Sequence, residues 1–234
     1  MKKKLSIIIP CYNEKDTILK ILEKINNVHL HGIEKETIII DDFSIDGTRK
    51  ILKSLNDYII IFNDKNYGKG FSVREGIKNA SGDIIIIQDA DLEYNPQNYN
   101  DLVKPILENN AQVVYGSRTL GPNSTQHSHF SFYLGGLFLT KLTNILFQSK
   151  LTDQPTCYKV FKKSVLDTIN LKENGFGFCS EVTSKLLLKN IEPYEVPINY
   201  FPRNKSDGKK ISWIDGLDAI YIIFKLRILS VLYK

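Results

Sequence analysis

This sequence of 234 residues lacks long apolar runs, paired cysteines and a strong excess of either charge. Its three cysteines, Cys11, Cys157 and Cys179, have no paired spacing and allow one bridge at most, which excludes a disulfide scaffold and suits a reducing compartment. His127 and His129 stand in a polar stretch without matching Cys or His ligands. A zinc site takes three or four ligands, so they read as surface residues. There is no P-loop spacing, and no Gly-x-Gly-x-x-Gly follows the first apolar run, which weakens kinase-like and dinucleotide readings. After the basic Met1–Lys4 the apolar run is only Leu5 to Ile9 before Pro10, too short for the core of a signal peptide. Two later stretches, 130–147 and 213–233, are tested against the ~20 mostly apolar residues of a membrane span. The first is interrupted by Gly135, Gly136, Lys141 and Asn144, the second by Asp215, Asp218, Lys225 and Arg227, so both are expected to lie on a membrane instead of crossing it.

What is present is ordinary globular material. Hydrophobic residues make up 42% and charged residues 24%, which excludes disordered, collagen-like and coiled-coil chains. The net charge of +5 is modest and fits anionic partners such as phosphates or a membrane surface better than a nucleic acid. Short β-branched runs recur at Leu5–Pro10, Thr37–Asp41, Tyr58–Phe62, Asp83–Gln88 and Gln112–Tyr115 and read as buried strands. Between them lie helical patterns: Ile18, Leu19, Leu22 and Ile25; Ile51, Leu52 and Leu55; Val73 and Ile77; Leu102, Ile106 and Leu107. Strand alternating with helix gives an α/β fold with a mostly parallel, Rossmann-like sheet flanked by helices. No repeat or low-complexity linker interrupts it.

The ends of these strands carry the chemistry, because an open α/β sheet binds ligands along one edge. The first ends in Pro10-Cys11-Tyr12-Asn13-Glu14, the second in Asp41-Asp42-Phe43-Ser44, and the fourth in Gln88-Asp89-Ala90-Asp91, with Glu93 beyond. Asp89 and Asp91 have a spacing that can hold Mg²⁺ or Mn²⁺, since hard cations take oxygen ligands; the alternative is a strand-end turn. Asp46 suits an Asx turn before a helix starting near Thr48, which leaves Asp41 or Asp42 to accept hydrogen bonds from a nucleobase or ribose. Lys69, in Asn66-Tyr67-Gly68-Lys69-Gly70, is either an anion-steering group or a solvated surface lysine. Arg118, after the fifth strand, offers a bidentate phosphate contact or is a surface arginine. Arg203, Lys205, Lys209 and Lys210 form a basic loop suited to a polyanion. Asp153 and Glu181 are candidate acids, although Glu181 falls in a first helical turn, where the helix dipole already favours it.

Together these residues resemble glycosyltransferase family 2, and within it the dolichol-phosphate mannosyltransferase-like enzymes. The resemblance runs over nearly the whole chain: Pro10-x-Tyr12-Asn13-Glu14; Asp41-Asp42-x-Ser44-x-Asp46-Gly47-Thr48; Asn66-x-Gly68-Lys69-Gly70; Asp89-Ala90-Asp91; Gly116-Ser117-Arg118; Thr152-Asp153 with Cys157-Tyr158-Lys159; Glu181-Val182-Thr183; and Glu195-Val196-Pro197-Ile198 with Pro202-Arg203. It implies one GT-A domain over 1–234, with a donor-binding part at 1–120 and an acceptor-side, membrane-proximal part at 121–234. It also implies a hexosyltransferase using a divalent metal, Mg²⁺ or Mn²⁺, and a nucleotide-sugar donor, GDP-mannose first and UDP-glucose second. The implied acceptor is a polyprenyl phosphate, met at the cytoplasmic face of a membrane to which the protein binds peripherally; a membrane-anchoring subunit stays open as a partner. By the same resemblance Pro10, Tyr12, Glu14 and Asp42 would hold the nucleoside, and Asp89, Asp91 and Glu93 the metal. The family commonly has glycine where Phe43 stands, and a backbone with φ > 0 disfavours Phe.

A phosphate monoester, whose second pKa is about 6, is already anionic at neutral pH and can attack the anomeric carbon without a general base. A sugar hydroxyl would need one. Asp89, Asp91, Arg118 and Asp153 are therefore the candidate catalytic set, with Asp41, Lys69, Ala90, Arg203 and Lys210 among the ligand contacts. Stretches 130–147 and 213–233 are expected to form amphipathic interfacial helices that present the crevice to a lipid-linked acceptor, helped by Lys225, Arg227 and Lys234 at ~1 kcal/mol per basic residue on an anionic surface; the alternative is burial inside the domain. Other readings are a family 2 transferase acting on a glycan hydroxyl with Asp153 or Glu181 as base, a non-catalytic membrane adaptor, and a phosphoryl-transfer enzyme.

Overall fold

The computed structural model describes residues 2–122, 130–203, 210 and 212–232. His127, His129, Lys205, Lys209 and Lys234 lie outside the described residues. The strands are β1 (Lys3–Cys11), β2 (Ile33–Asp41), β3 (Ile59–Phe62), β4 (Ile84–Ile87), β5 (Val113–Ser117), β6 (Lys159–Lys162) and β7 (Tyr194–Pro197). The helices are α1 (Ile18–Asn26), α2 (Thr48–Leu52), α3 (Lys69–Asn79), α4 (Tyr99–Glu108), α5 (Phe130–Phe147), α6 (Lys163–Leu166), α7 (Phe178–Leu188) and α8 (Trp213–Leu232).

Among the described residues the strands form one sheet in the order β3-β2-β1-β4-β6-β5-β7. All neighbours are parallel except β6, which runs antiparallel between β4 and β5. The isoleucine content explains the centre of this sheet. In β4, Ile84 and Ile86 face a core shared with Leu5, Ile7 and Ile9, while Ile85 and Ile87 face a second core with Ile8, Ile38 and Ile40. A strand buried on both faces needs such a continuous apolar run, and each buried isoleucine contributes roughly 1.5–3 kcal/mol.

The five strands read from sequence are all present, with shifted ends; β2 begins at Ile33 instead of Thr37. β6 and β7 were not foreseen. Helix α1 buries Ile18, Ile21, Leu22 and Ile25 and leaves Leu19 half exposed, and α2 stops at Leu52, short of Leu55. Asp46 makes the expected Asx turn, accepting from Thr48 N at 3.0 Å.

The expected amphipathic helices are not found in that form. α8 packs on α7 and α5 through Ala219, Ile222 and Ile223, yet its outward residues are largely apolar too, including Trp213, Ile214, Leu217, Tyr221, Ile228 and Leu232. The contrast of polar and apolar faces that defines an amphipathic helix is therefore weak. Among the described residues no helix is long and apolar enough to cross a membrane.

Candidate active site

A cavity of about 980 Å³ opens at the C-terminal ends of β1, β2 and β4, lined by Pro10, Tyr12, Glu14, Asp42 and the Asp89-Ala90-Asp91 segment. The loops after β1 and β2 are tied together by side chains that do no chemistry. Asn13 Oδ1 accepts from Ile45 N at 2.8 Å, Ser44 Oγ from Asn13 N at 2.9 Å, and Thr48 Oγ1 from Glu14 N at 2.8 Å. Phe43 takes φ +66, so the left-handed turn is kept with a phenylalanine in it.

The two adjacent aspartates separate cleanly. Asp41 is fully buried and does not line the cavity; its carboxylate pairs with Arg49 Nε at 2.6 Å and accepts from Ser44 N. Asp42 borders the cavity and accepts from Asn63 Nδ2, Tyr67 N and Gly68 N at 2.8, 2.9 and 2.7 Å. Gly68 adopts φ +98, and a Cβ there would sit 2.6 Å from the carbonyl oxygen of Asn174. Only glycine permits this approach, which sets Lys69 at the start of α3, facing the acids.

Acids and cations alternate across the polar end. Lys69 Nζ is 2.5 Å from Asp89 Oδ1 and is thus no solvated surface lysine. The Arg203 guanidinium holds Glu14 at 2.9 and 3.2 Å and lies 3.4 Å from Asp91 Oδ2, while Lys210 Nζ sits 2.5 Å from Glu14 Oε1 and also donates to the Tyr12 carbonyl. Against burial, which raises it, hydrogen bonds from Arg203 and Lys210 draw the Glu14 carboxyl below its ordinary range. Lys69 does the same for Asp89. Asp91 goes the other way. Burial, with Asp89 and Glu93 close by, pushes its carboxyl up to about 7.

That surplus of negative charge, held on two all-oxygen side chains, fits a hard divalent cation. Asp89 and Asp91 are the residues that fit it. Glu93, the third expected ligand, accepts from Tyr200 OH at 2.9 Å and Arg203 N at 2.8 Å, tying its carboxylate to the segment after β7. Among the described residues no three His, Cys, Asp or Glu side chains are gathered to hold a metal.

Arg118 reaches the cavity under tight control. Asp153 accepts from its backbone N, Nε and Nη2 at 2.9, 2.8 and 2.7 Å, and its guanidinium lies 5.2 Å from the Tyr200 ring. Glu195 on β7 accepts from Thr152 N and Asp153 N, fixing the segment that carries Asp153. Asp153 itself does not line the cavity. Glu181 is likewise occupied, by Lys172 N, Glu173 N and Lys185 Nζ.

The far wall is apolar. α5 contributes Phe132, Phe138 and Leu139, and α8 contributes Trp213, Leu217 and Ile220. Between the two ends stand Cys157 and Cys179, both partly exposed. Burial lowers Lys159, on the adjoining β6, to about 8, and its Nζ rests 3.6 Å from the Tyr115 ring. A hydrogen bond from Cys157, with Lys159 and Lys69 nearby, outweighs burial and pulls Cys179 down to about 6.

Sequence reasoning missed Tyr200 and the role of Glu195 as an anchor, whereas α5 and α8, expected beside the crevice, do line the cavity. Glu195 stood within a quoted motif, but its role depends on β7 joining the sheet.

Comparison with known proteins follows the same lines. The family model described as Glycosyl transferase family 2 matches residues 6–169. The UDP-N-acetylglucosamine–dolichyl-phosphate N-acetylglucosaminyltransferase of Methanococcus voltae is 28% identical, with 98% of each chain covered. The dolichol-phosphate mannosyltransferase of Pyrococcus furiosus is 27% identical over 88% of this chain and 59% of its own. Among solved structures, glucosyl-3-phosphoglycerate synthase from Mycobacterium tuberculosis with Mn²⁺, UDP and phosphoglyceric acid superposes with a TM-score of 0.71, at 17% identity, over 96% of this chain and 78% of that one. At that identity the likeness speaks for the GT-A fold.

Proposed function

Because the chain belongs to glycosyltransferase family 2, and is a glycosyltransferase, we propose that it moves a hexose from a nucleoside-diphosphate sugar to a polyprenyl phosphate at a membrane surface. One observation carries this reading: a single cavity joins an end lined by acids and cations to an apolar wall between α5 and α8. A donor diphosphate suits the first end and an isoprenoid chain the second. The names of the Methanococcus and Pyrococcus relatives, both dolichyl-phosphate transferases, point the same way.

Pro10, Tyr12, Glu14 and Asp42 border the space for the nucleoside, with Asp42 fixing the Gly68 turn beneath it. Asp41 acts behind them, holding Arg49. A divalent cation held by Asp89 and Asp91 would neutralise the diphosphate and polarise its leaving oxygen. Lys69, Arg203 and Lys210, now paired with Asp89, Asp91 and Glu14, are placed to exchange those partners for phosphate oxygens. Arg118 is oriented by Asp153 and has the remaining edge of its guanidinium to offer a phosphate.

The state of the candidate bases favours a phosphate acceptor over a glycan hydroxyl. Asp153 is locked to Arg118 and Glu181 to three donors, so neither is placed to take a proton, and an anionic phosphate oxygen needs none removed. A single displacement inverts the anomeric centre. The intact acid cluster distinguishes this reading from a non-catalytic adaptor.

The test is a panel of labelled GDP-mannose, UDP-glucose and UDP-N-acetylglucosamine offered with a short polyprenyl phosphate and Mg²⁺ or Mn²⁺. One donor should yield a lipid-soluble product, and Asp91→Asn should abolish it while leaving the circular dichroism spectrum unchanged. Wild-type turnover in that variant would remove Asp91 from the chemistry.

A further inference from the structure

The two partly exposed thiols in the cavity wall take no part in the proposed transfer. Cys157 lies two residues before β6, and its backbone N donates to Tyr94 OH at 3.1 Å. Cys179 stands in the first turn of α7, where its thiol reaches the carbonyl of Thr156 at 3.8 Å, the residue next to Cys157. That contact sets Cys179 beside Cys157 in the cavity wall. Lys69 Nζ donates to Cys157 Sγ at 3.1 Å, linking the pair to Asp89. The third cysteine, Cys11, borders the same cavity but is almost fully buried, at the end of β1.

We propose that Cys157 and Cys179 form an oxidisable dithiol site in the wall of the cavity, which a peroxide closes to an intramolecular disulfide. Two features of the geometry favour it. The sulfurs are adjacent in space, though they come from separate elements of the fold. Both face the cavity, through which a small oxidant arrives.

The chemistry balances. One sulfur attacks the peroxide O–O bond, giving a sulfenic acid and one water. The second sulfur then attacks the sulfenic sulfur, forming the S–S bond and expelling a second water. Two electrons pass from the sulfur pair to the peroxide, and the protein loses two hydrogens.

Intact-protein mass spectrometry after hydrogen peroxide treatment tests the site without reference to transferase activity. The wild-type protein should lose two hydrogens, titrate one thiol instead of three after denaturation, and recover all three with a dithiol reductant. Cys157→Ser and Cys179→Ser should each fail to form the bond and should gain oxygen or stay unchanged, whereas Cys11→Ser should still form it. Cross-linked peptides identified after digestion should join Cys157 to Cys179. Failure of the wild type to lose two hydrogens, or the same loss in either single serine variant, would overturn the proposal.

Discussion

At the scale of single residues, side chains of the same chemical type have been given different tasks by their neighbours. Asp41 and Asp42 could not be ranked from sequence, because adjacent carboxylates look alike there. Arg49 takes Asp41 out of the cavity, and the Gly68 turn binds Asp42 at its border. Asp153, a candidate catalytic acid in the sequence, accepts three hydrogen bonds from Arg118. Asp153→Asn should lower kcat/KM for the phosphate acceptor about 10–100-fold, since a charge-assisted contact is worth ~1.5–3 kcal/mol, while the shape of the pH–rate profile stays that of wild type. Loss of a limb of that profile would instead mark Asp153 as a base. Phe43 tests the cost of a bulky side chain at φ +66. A left-handed non-glycine costs roughly 1–2 kcal/mol. Glycine would remove that strain but add roughly 0.5–1 kcal/mol of chain entropy and give up the Arg49 contact, 5.3 Å from the ring, worth ~0.5–1 kcal/mol. Phe43→Gly should therefore leave the urea midpoint nearly unchanged, and a large shift either way would show one of these costs to be misjudged.

Elements are held at their ends by similar small groups. Glu36 on β2 binds Lys4 at 2.6 Å, the Ser6 hydroxyl, and Ser81 N and Oγ at 2.7 and 2.6 Å, joining β1, β2 and the turn before β4. Burial opposes ionisation of this carboxyl, but these partners lower it from 4.5 to about 2. The folded state therefore binds the proton less readily than the unfolded chain. The resulting stabilisation is complete above pH 4.5 and is lost as the pH falls toward 2. Glu36→Gln should be less stable than wild type at pH 7, and the gap in urea midpoint should narrow across that window; a constant gap would assign the effect to shape alone. The helices α5 and α8 pose a different question, since many of their outward residues are apolar. Replacing Leu217, which is both exposed and part of the cavity wall, with Asp should weaken flotation with anionic liposomes and raise KM for a long-chain acceptor, while leaving donor affinity intact. Unchanged flotation and acceptor KM would exclude α8 as the lipid-facing wall.

Across the whole molecule, the strands rich in isoleucine and the acid motifs at their ends were legible because burial on both faces demands an unmistakable pattern. The four-residue strands β6 and β7 were not, since Lys159 and Lys162 disguise β6 and its antiparallel course depends on pairing with β4 and β5. The same limit hid part of the site: Glu195 and Tyr200 reach it only once β7 joins the sheet. The measurement that bears most directly on the whole arrangement is transfer from a labelled nucleotide sugar to a polyprenyl phosphate beside the same chain as a free polyprenol, read by extraction into organic solvent. Label should enter the organic phase with the phosphate and not with the alcohol. Equal transfer to the polyprenol, or label retained in water with every donor, would contradict a lipid phosphate as the acceptor.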